Sequence, residues 1–248
     1  CIFYIYGPTR GGKGIFTETL IHMLGREPLA IEADFATFSR SRDADSQNFD
    51  MAGLKECRLV VASEGEERQH LNAARIKQMT GGNYIRCAHK FRDFFTYRPK
   101  FKIWLSSNYT VRLNVNDDAA WGRVRLIEFP NSYLGREDKL LKQKMHRPDV
   151  LHGVLAWAVE GAQAYYSQMG QGLSVPRPVR HCTERARHGL DHVARWLEVC
   201  TEDDPNGFVS NDSLYASYED WCNQQAVTAM RKGELTRDLK EKGYRAGQ

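Results

Sequence analysis

The sequence predicts an α/β fold built on an open parallel sheet, with a small helical domain behind it. Three observations predict this. The chain opens on a continuous apolar and aromatic run, Cys1-Ile2-Phe3-Tyr4-Ile5-Tyr6, which reads as a buried strand and leads through a glycine turn into a helical pattern. Two later runs, Arg58 to Ser63 and Lys100 to Ser107, are apolar β-formers that end in polar or acidic residues. Such strands deliver polar groups to the carboxyl rim of a parallel sheet, where ligands bind in open α/β folds. The last third of the chain has helical rather than strand periodicity.

The turn after the first strand is Gly7-Pro8-Thr9-Arg10-Gly11-Gly12-Lys13-Gly14, and Ile15 to Leu24 follows with apolar residues at helical spacing up to Gly25. Strand, glycine turn and helix are the context of a phosphate-binding loop. Gly7 and Gly12 let backbone N–H groups face an anion, and Lys13 reaches the outer phosphates. An ordinary glycine-rich turn is the other reading, and the spacing of Gly7, Gly12 and Lys13 argues against it. The residues from Gly7 to Ile15, with Pro8, Thr9, Arg10, Gly11 and Gly14 between them, form the predicted nucleotide cradle. A loop of this kind ends Lys-Ser or Lys-Thr, with the hydroxyl on Mg²⁺; here Gly14 stands in that place, and Thr17 or water is left to complete the metal shell.

Leu29 to Ala33 reads as a second strand, the polar stretch from Ser39 to Ser46 as a loop, and Asn48 to Lys55 as a short helix. The strand from Arg58 runs into Glu64-Gly65-Glu66-Glu67. Glu64 is placed to hold the Mg²⁺ of a bound nucleotide, and Glu66 or Glu67 to polarise the attacking water. Carboxylates that merely open the next helix are the alternative, preferred for Glu67. Leu71 to Met79 reads as a helix ending at Lys77-Gln78-Met79-Thr80-Gly81-Gly82. Two strands, Asn83 to Ala88 and Phe94 to Arg98, then flank a tip of His89-Lys90-Phe91-Arg92-Asp93. Basic residues beside an aromatic suit a single-stranded nucleic-acid backbone, although charge alone fits a tip that is basic for solubility. Asn108, at the end of its strand, reads as a contact to the γ-phosphate or the attacking water, or as a turn cap. Asp117 to Phe129 supplies a charged turn, Arg123 and Arg125, and a last strand. An arginine at a subunit edge reaches a neighbour's nucleotide.

The 248 residues allow one large domain with a small one beside it, and 42% hydrophobic against 27% charged residues is ordinary for a soluble protein. No apolar run approaches a membrane span. Six scattered cysteines without a Cys-x-x-Cys pair argue against a zinc site or disulfide framework and for reduced thiols in a cytosolic, cytoplasmic setting. A net charge of +4 decides little by itself. The chain starts at Cys1 inside a strand and so reads as a piece of a longer protein.

In this order the segments resemble the superfamily 3 helicases, specifically the helicase part of phage and plasmid primase–helicases of the poxvirus type. Arg58 to Glu66, Ile76 to Gly82, Phe101 to Asn108 and Trp121 to Phe129 carry the resemblance, and the Lys-Gln-x-Thr-Gly-Gly segment is its most specific part. The resemblance implies an AAA+-like P-loop ATPase core over residues 1–170, a linker at 171–190 and a winged-helix-like domain at 191–248. It makes Lys13 the Walker A lysine, Glu64 the Walker B acid with Glu66 beside it, and Asn108 the γ-phosphate sensor. Lys77, His89, Lys90 and Arg92 become the DNA-contacting set, and Arg123 the arginine finger. Family members carry two arginines after the tryptophan; here Gly122 replaces the first, leaving Arg125 a weaker candidate.

Val150 to Met169 reads as a long amphipathic helix with Leu151, Val154, Leu155, Ala158, Ala162 and Tyr165 on one face. Gly170 to Pro178 reads as a linker, followed by helices near 192–202, 210–225 and 232–242. The basic third helix resembles a recognition helix, with a solvated basic face as the alternative. The expected activity is ATP-driven movement on single-stranded DNA by a hexameric ring, in replication of a phage, plasmid or mobile element, with ATP and Mg²⁺ as cofactors. A primase region is expected upstream. The alternative is a nucleotide-gated DNA-binding platform or loader with little hydrolysis; a small-molecule P-loop kinase leaves the basic hairpin without purpose.

Overall fold

A computed structural model describes residues 1–39, 48–63, 70–168, 170–202, 204 and 206–245. It divides the chain into two compact units, Cys1–Glu184 and Arg185–Gln248.

In the first unit, β1 (Ile2–Tyr6) runs into the glycine loop and α1 (Lys13–Met23). β2 (Ala30–Glu32), α2 (Ala36–Ser39), α3 (Phe49–Ala52) and β3 (Leu59–Ser63) follow. Then come α4 (Ala73–Thr80), the antiparallel pair β4 (Ile85–Ala88) and β5 (Phe94–Tyr97), and β6 (Lys102–Ser107). α5 (Asp118–Trp121), β7 (Val124–Glu128), α6 (Leu141–Met145) and α7 (Pro148–Ser167) complete it, and α8 (Arg177–Leu190) runs across the division. Five strands form a sheet in the order β2-β3-β6-β1-β7, and every neighbouring pair is parallel.

The parallel pairing follows from the residues. Ile2 and Ile5 of β1, Val60 and Ala62 of β3 and Leu105 of β6 are wholly buried, as strands covered on both faces require. Each large aliphatic side chain so buried contributes about 1.5–3 kcal/mol. A second layer packs around Leu20, Ala30, Leu59 and Val61, with Phe16 and Trp104 against it. Because the strands are parallel, Tyr6, Ser63, Ser107 and Glu128 all end on one edge of the sheet. One buried charge needs its own explanation. Arg75 of α4 donates to Thr37 O (2.9 Å) and Asp50 Oδ2 (2.5 Å), so its guanidinium is paired and hydrogen-bonded where water is excluded.

In the second unit, α9 (His192–Cys200), α10 (Asn211–Gln224) and α11 (Lys232–Glu241) close on Val193, Trp196, Tyr218, Trp221, Cys222, Leu235 and Leu239. Ser210 caps α10 by accepting from Ser213 N, and Lys242 pairs with Asp191 at 2.5 Å. These three helices match the sequence reading to within two residues at each end. The expected linker, by contrast, contains a helix: α8 covers most of 171–190. Its polar composition hid it, since the apolar positions are few and Pro178 sits at its second residue, where a helix tolerates proline. Three four- or five-residue helices, α2, α5 and α6, were not read from the sequence. α7 spans the expected long helix but buries none of its residues fully, and Trp157 is 60% exposed. No helix among the described residues is long and apolar enough to cross a membrane.

Candidate functional site

The loop between β1 and α1 has a backbone that only its glycines permit. Gly7 has φ +147°, and a Cβ there would stand 2.0 Å from Phe129 O. Gly12 takes the left-handed region (φ +91°) as the N-cap of α1 and supplies no capping side chain. The first main-chain bond of the helix runs from Phe16 N to Gly12 O. The preceding N–H groups at its start therefore have no intrahelical acceptor and present the positive end of the helix. A Cβ on Gly12 or Gly14 would meet nothing within 4 Å, so space lies open above the loop.

Lys13 forms the floor. Its Nζ donates to Gly7 O (2.7 Å), Pro8 O (2.8 Å) and Asn108 Oδ1 (3.0 Å). Burial holds the ammonium below its ordinary lysine pKa. Parallel pairing of β1 with β6 causes the meeting with Asn108: Tyr6 lies opposite Ser107, so the residues that follow each strand share one edge. The arrangement fits an oligophosphate. The divalent cation is less fully provided for: Gly14 brings no hydroxyl, and Thr17 is buried with its Oγ1 turned back onto Lys13 O (3.3 Å) and Gly14 O (3.1 Å). Of the two substitutes weighed from sequence, Thr17 is therefore committed to its own helix. Glu64 and Glu66, with Glu67, lie outside the described residues; β3 ends at Ser63, opposite Ser106 on the same edge.

Nothing in the sequence signals what holds the loop from the other side. After β7, Phe129 N donates to Tyr6 O (2.7 Å), Ser132 Oγ to Thr9 O (2.9 Å) and Tyr133 N to Arg10 O (3.2 Å). Arg10 approaches Glu137 at 3.6 Å. Lys142 of α6 pairs with Glu18 of α1 at 2.8 Å, and His146 stacks on His22 with ring centroids 3.7 Å apart. These are ordinary polar and aromatic residues with no period of their own, which is why sequence reasoning passed over them.

The opposite edge carries Arg58 before β3, Lys102 at the start of β6, and Arg123 and Arg125 around the start of β7. A cleft of about 370 Å³ opens there, lined by Thr80, Gly82, Arg98, Lys100 and Lys102 among others. The Arg123 guanidinium donates to Ala119 O, and Arg125 to Gly122 O (2.9 Å) and Val124 O (3.0 Å). β7 pairs parallel to β1, so its five residues set Arg123 about 16 Å from the glycine loop, at ~3.3 Å per residue. Arg123 does not join Lys13 and Asn108 within one chain.

His89, Lys90 and Arg92 stand exposed at the tip between β4 and β5, around Phe91, which is 92% exposed. His89 stacks on Phe95 (5.4 Å), and Lys90 Nζ lies 5.2 Å from the Phe91 ring centroid. Lys77 is not part of this group: its Nζ is held by Asp117 Oδ2 at 2.8 Å. A larger cavity of about 510 Å³ lies within the second unit, against Trp196, Phe208 and Tyr244.

Comparison with known proteins gives three findings. Residues 5–123 match a family of unknown function (DUF5906). The chain is 26% identical to putative helicase 022R of Frog virus 3 (isolate Goorha) over 96% of its length, and 26% identical to putative helicase L207/L206 of Acanthamoeba polyphaga mimivirus over 77%. It spans 26% and 19% of those two proteins. Among solved structures it is similar to the apo C-terminal region (305–718) of NrS-1, with a TM-score of 0.56 and 14% identity over 95% of this chain and 60% of that one. That likeness is one of fold.

Proposed function

We propose that the chain is the ATPase core of a superfamily 3 DNA helicase of the primase–helicase type, with α9 to α11 as its winged-helix-like domain. The observation that carries this reading is the Lys13 ammonium on Asn108 Oδ1, which brings the loop lysine and the strand-end amide to one point on the carboxyl edge. The names of the viral relatives agree with it.

In this reading Lys13 leaves the carbonyls of Gly7 and Pro8 for the outer phosphate oxygens of ATP, and the N–H groups at the start of α1 take the inner ones. Mg²⁺, when bound, screens the phosphate charge, with Glu64 its protein ligand. Glu66 accepts the proton of the attacking water, whose oxygen bonds to the γ-phosphorus as the bond to the bridging oxygen of ADP breaks. Asn108 orients that water. The charge that spreads over the transferring group needs a guanidinium, and Arg123 stands on the wrong edge to supply it in cis. We therefore assign it to the neighbour's site in a hexameric ring. The exposed apolar residues of α7, Leu155, Trp157, Val159 and Tyr166, favour self-association. The tips with His89, Lys90 and Arg92 line the channel and hold single-stranded DNA by its phosphates, with Phe91 offered to a base.

One observation favours a second reading, a nucleotide-gated platform or loader. Gly14 and the committed Thr17 hydroxyl both remove oxygen ligands from the cation, which lowers hydrolysis more than binding.

The deciding experiment is Mg²⁺-dependent ATP turnover with and without single-stranded DNA, in wild type, Glu64→Gln, and His89→Ala with Lys90→Ala. Stimulated turnover that Glu64→Gln abolishes and the tip variant loses supports the motor. Tight ATP binding without turnover in an assembled wild-type ring supports the platform.

A further inference from the structure

Lys77 stands where three parts of the first unit meet. Its backbone carbonyl accepts Gly81 N at 2.8 Å, which closes the turn that leads from α4 into β4 and the basic tip. That turn is tight: a Cβ on Gly81 would lie 2.6 Å from the same carbonyl, and Gly82 takes φ +75° with the Arg98 guanidinium against its α-carbon face. The Lys77 ammonium leaves α4 altogether and donates to Asp117 Oδ2 at 2.8 Å. Asp117 is the N-cap of α5, its Oδ1 accepting Ala120 N at 2.9 Å, and the Lys77 hydrogen bond is the main cause that holds its carboxyl below the usual carboxylate range. At the far end of this one-turn helix, Arg123 N donates to Ala120 O (3.0 Å) and the Arg123 guanidinium to Ala119 O.

We infer that the Lys77–Asp117 pair is a positioning link that couples occupancy of the basic tip by single-stranded nucleic acid to the placement of Arg123. The inference rests on the proposed ATPase reading and deepens it. A pull on β4 acts first on the Gly81–Lys77 turn. Through Lys77 it reaches a helix too short to absorb the movement internally, because α5 has one turn, and both its N-cap and the arginine at its end are fixed to it. The pair is only partly exposed, with 39% of the lysine side chain and 20% of the aspartate side chain reached by solvent, so salt screens it less than an open surface pair. Lys77 acts here through Asp117 and does not touch the nucleic acid.

Coupling of this kind is shown by a change in linkage, and loss of activity alone does not establish it. The test is Asp117→Asn in the full chain, since asparagine caps a helix as well as aspartate but leaves the lysine without its ion partner. Three quantities are measured: turnover without DNA, affinity for a fluorescent oligo-dT, and the fold stimulation of turnover by saturating oligo-dT. The link predicts unstimulated turnover and oligo-dT affinity within about twofold of wild type, with stimulation reduced at least fivefold. Lys77→Arg, which keeps the charge pair, should retain stimulation, and Lys77→Gln should lose it. Full stimulation in Asp117→Asn overturns the link and leaves the ATPase reading intact. Equal losses in all three quantities show a merely structural role and also overturn it. Wild type that binds oligo-dT but hydrolyses no ATP overturns both readings together.

Discussion

The two edges of the sheet are made by the same five strands and carry opposite chemistry. On the carboxyl edge the polar groups are engaged: Lys13 makes three hydrogen bonds, and the loop is tied to the segment after β7 at Tyr6, Thr9 and Arg10. On the amino edge, Arg58, Lys102, Arg123 and Arg125 form a basic row in which Arg123 donates to Ala119 O and Arg125 to Gly122 O and Val124 O. In the reading proposed above, one edge receives phosphate and the other presents positive charge to a neighbouring subunit. With about 16 Å of strand between them, that reading gives a single subunit two halves of different sites.

The largest expected effect comes from separating the halves. Lys13→Ala and Arg123→Ala should each lower turnover by about 10³-fold or more, the scale of an arginine finger. Mixing the two inactive proteins should restore up to about a quarter of wild-type turnover, since one interface type then pairs an intact loop with an intact arginine. Failure to recover at every ratio would place Arg123 outside the site and break the comparison.

A smaller effect sharpens the carboxyl edge alone. A side chain at Gly14 meets open space and α1 has helical backbone there, so Gly14→Thr fits without rearrangement. It should lower the Mg²⁺ concentration for half-maximal turnover by about threefold or more, measured by titration at fixed ATP. An unchanged requirement would mean that the cation's shell is complete without that hydroxyl.

The smallest concerns the brace beside α1. Burial is the main cause that holds His146 below the ordinary histidine pKa, with the neighbouring His22, Lys142 and Arg26 acting the same way and Glu18 opposing. A lowered folded-state pKa favours the neutral ring, so the native state binds fewer protons than the unfolded chain as pH falls through about 6.5. Stability contributed by the stack is present above that value and declines below it. Going from pH 7.5 to 5.5 should lower Tm by a few degrees in wild type and by less in His146→Gln, followed by circular dichroism. Parallel curves for the two proteins would remove the stack from the loop's support.

The parallel strands, the glycine loop, the hairpin and the three carboxyl-terminal helices were legible because each rests on a local signal: an apolar run, a φ only glycine adopts, or a 3.6-residue period. What could not be read was of two kinds. α5 and α6 are too short to show a period, and α8 has too few apolar positions to mark a face. The ties from Phe129, Ser132 and Tyr133 to the loop join residues more than a hundred positions apart, and only the pairing of β7 with β1 brings them together. Lys77 shows the same limit. Its segment was recognisable, but its partner, 40 residues on, was a matter of folding.

The three hydrogen bonds of Lys13 make the loop its own competitor. An entering anion must displace Gly7 O, Pro8 O and Asn108 Oδ1 before it gains the ammonium, so weak anions such as inorganic phosphate gain little from it. A triphosphate tail, with several oxygens and more charge, overcomes that self-ligation. With hydrolysis as proposed, the lysine has carbonyls to return to once the terminal group has gone, which hastens departure of what remains. Under the proposed nucleotide-binding reading, the resting contacts act as a spring-loaded latch that favours long phosphate chains and discards short ones.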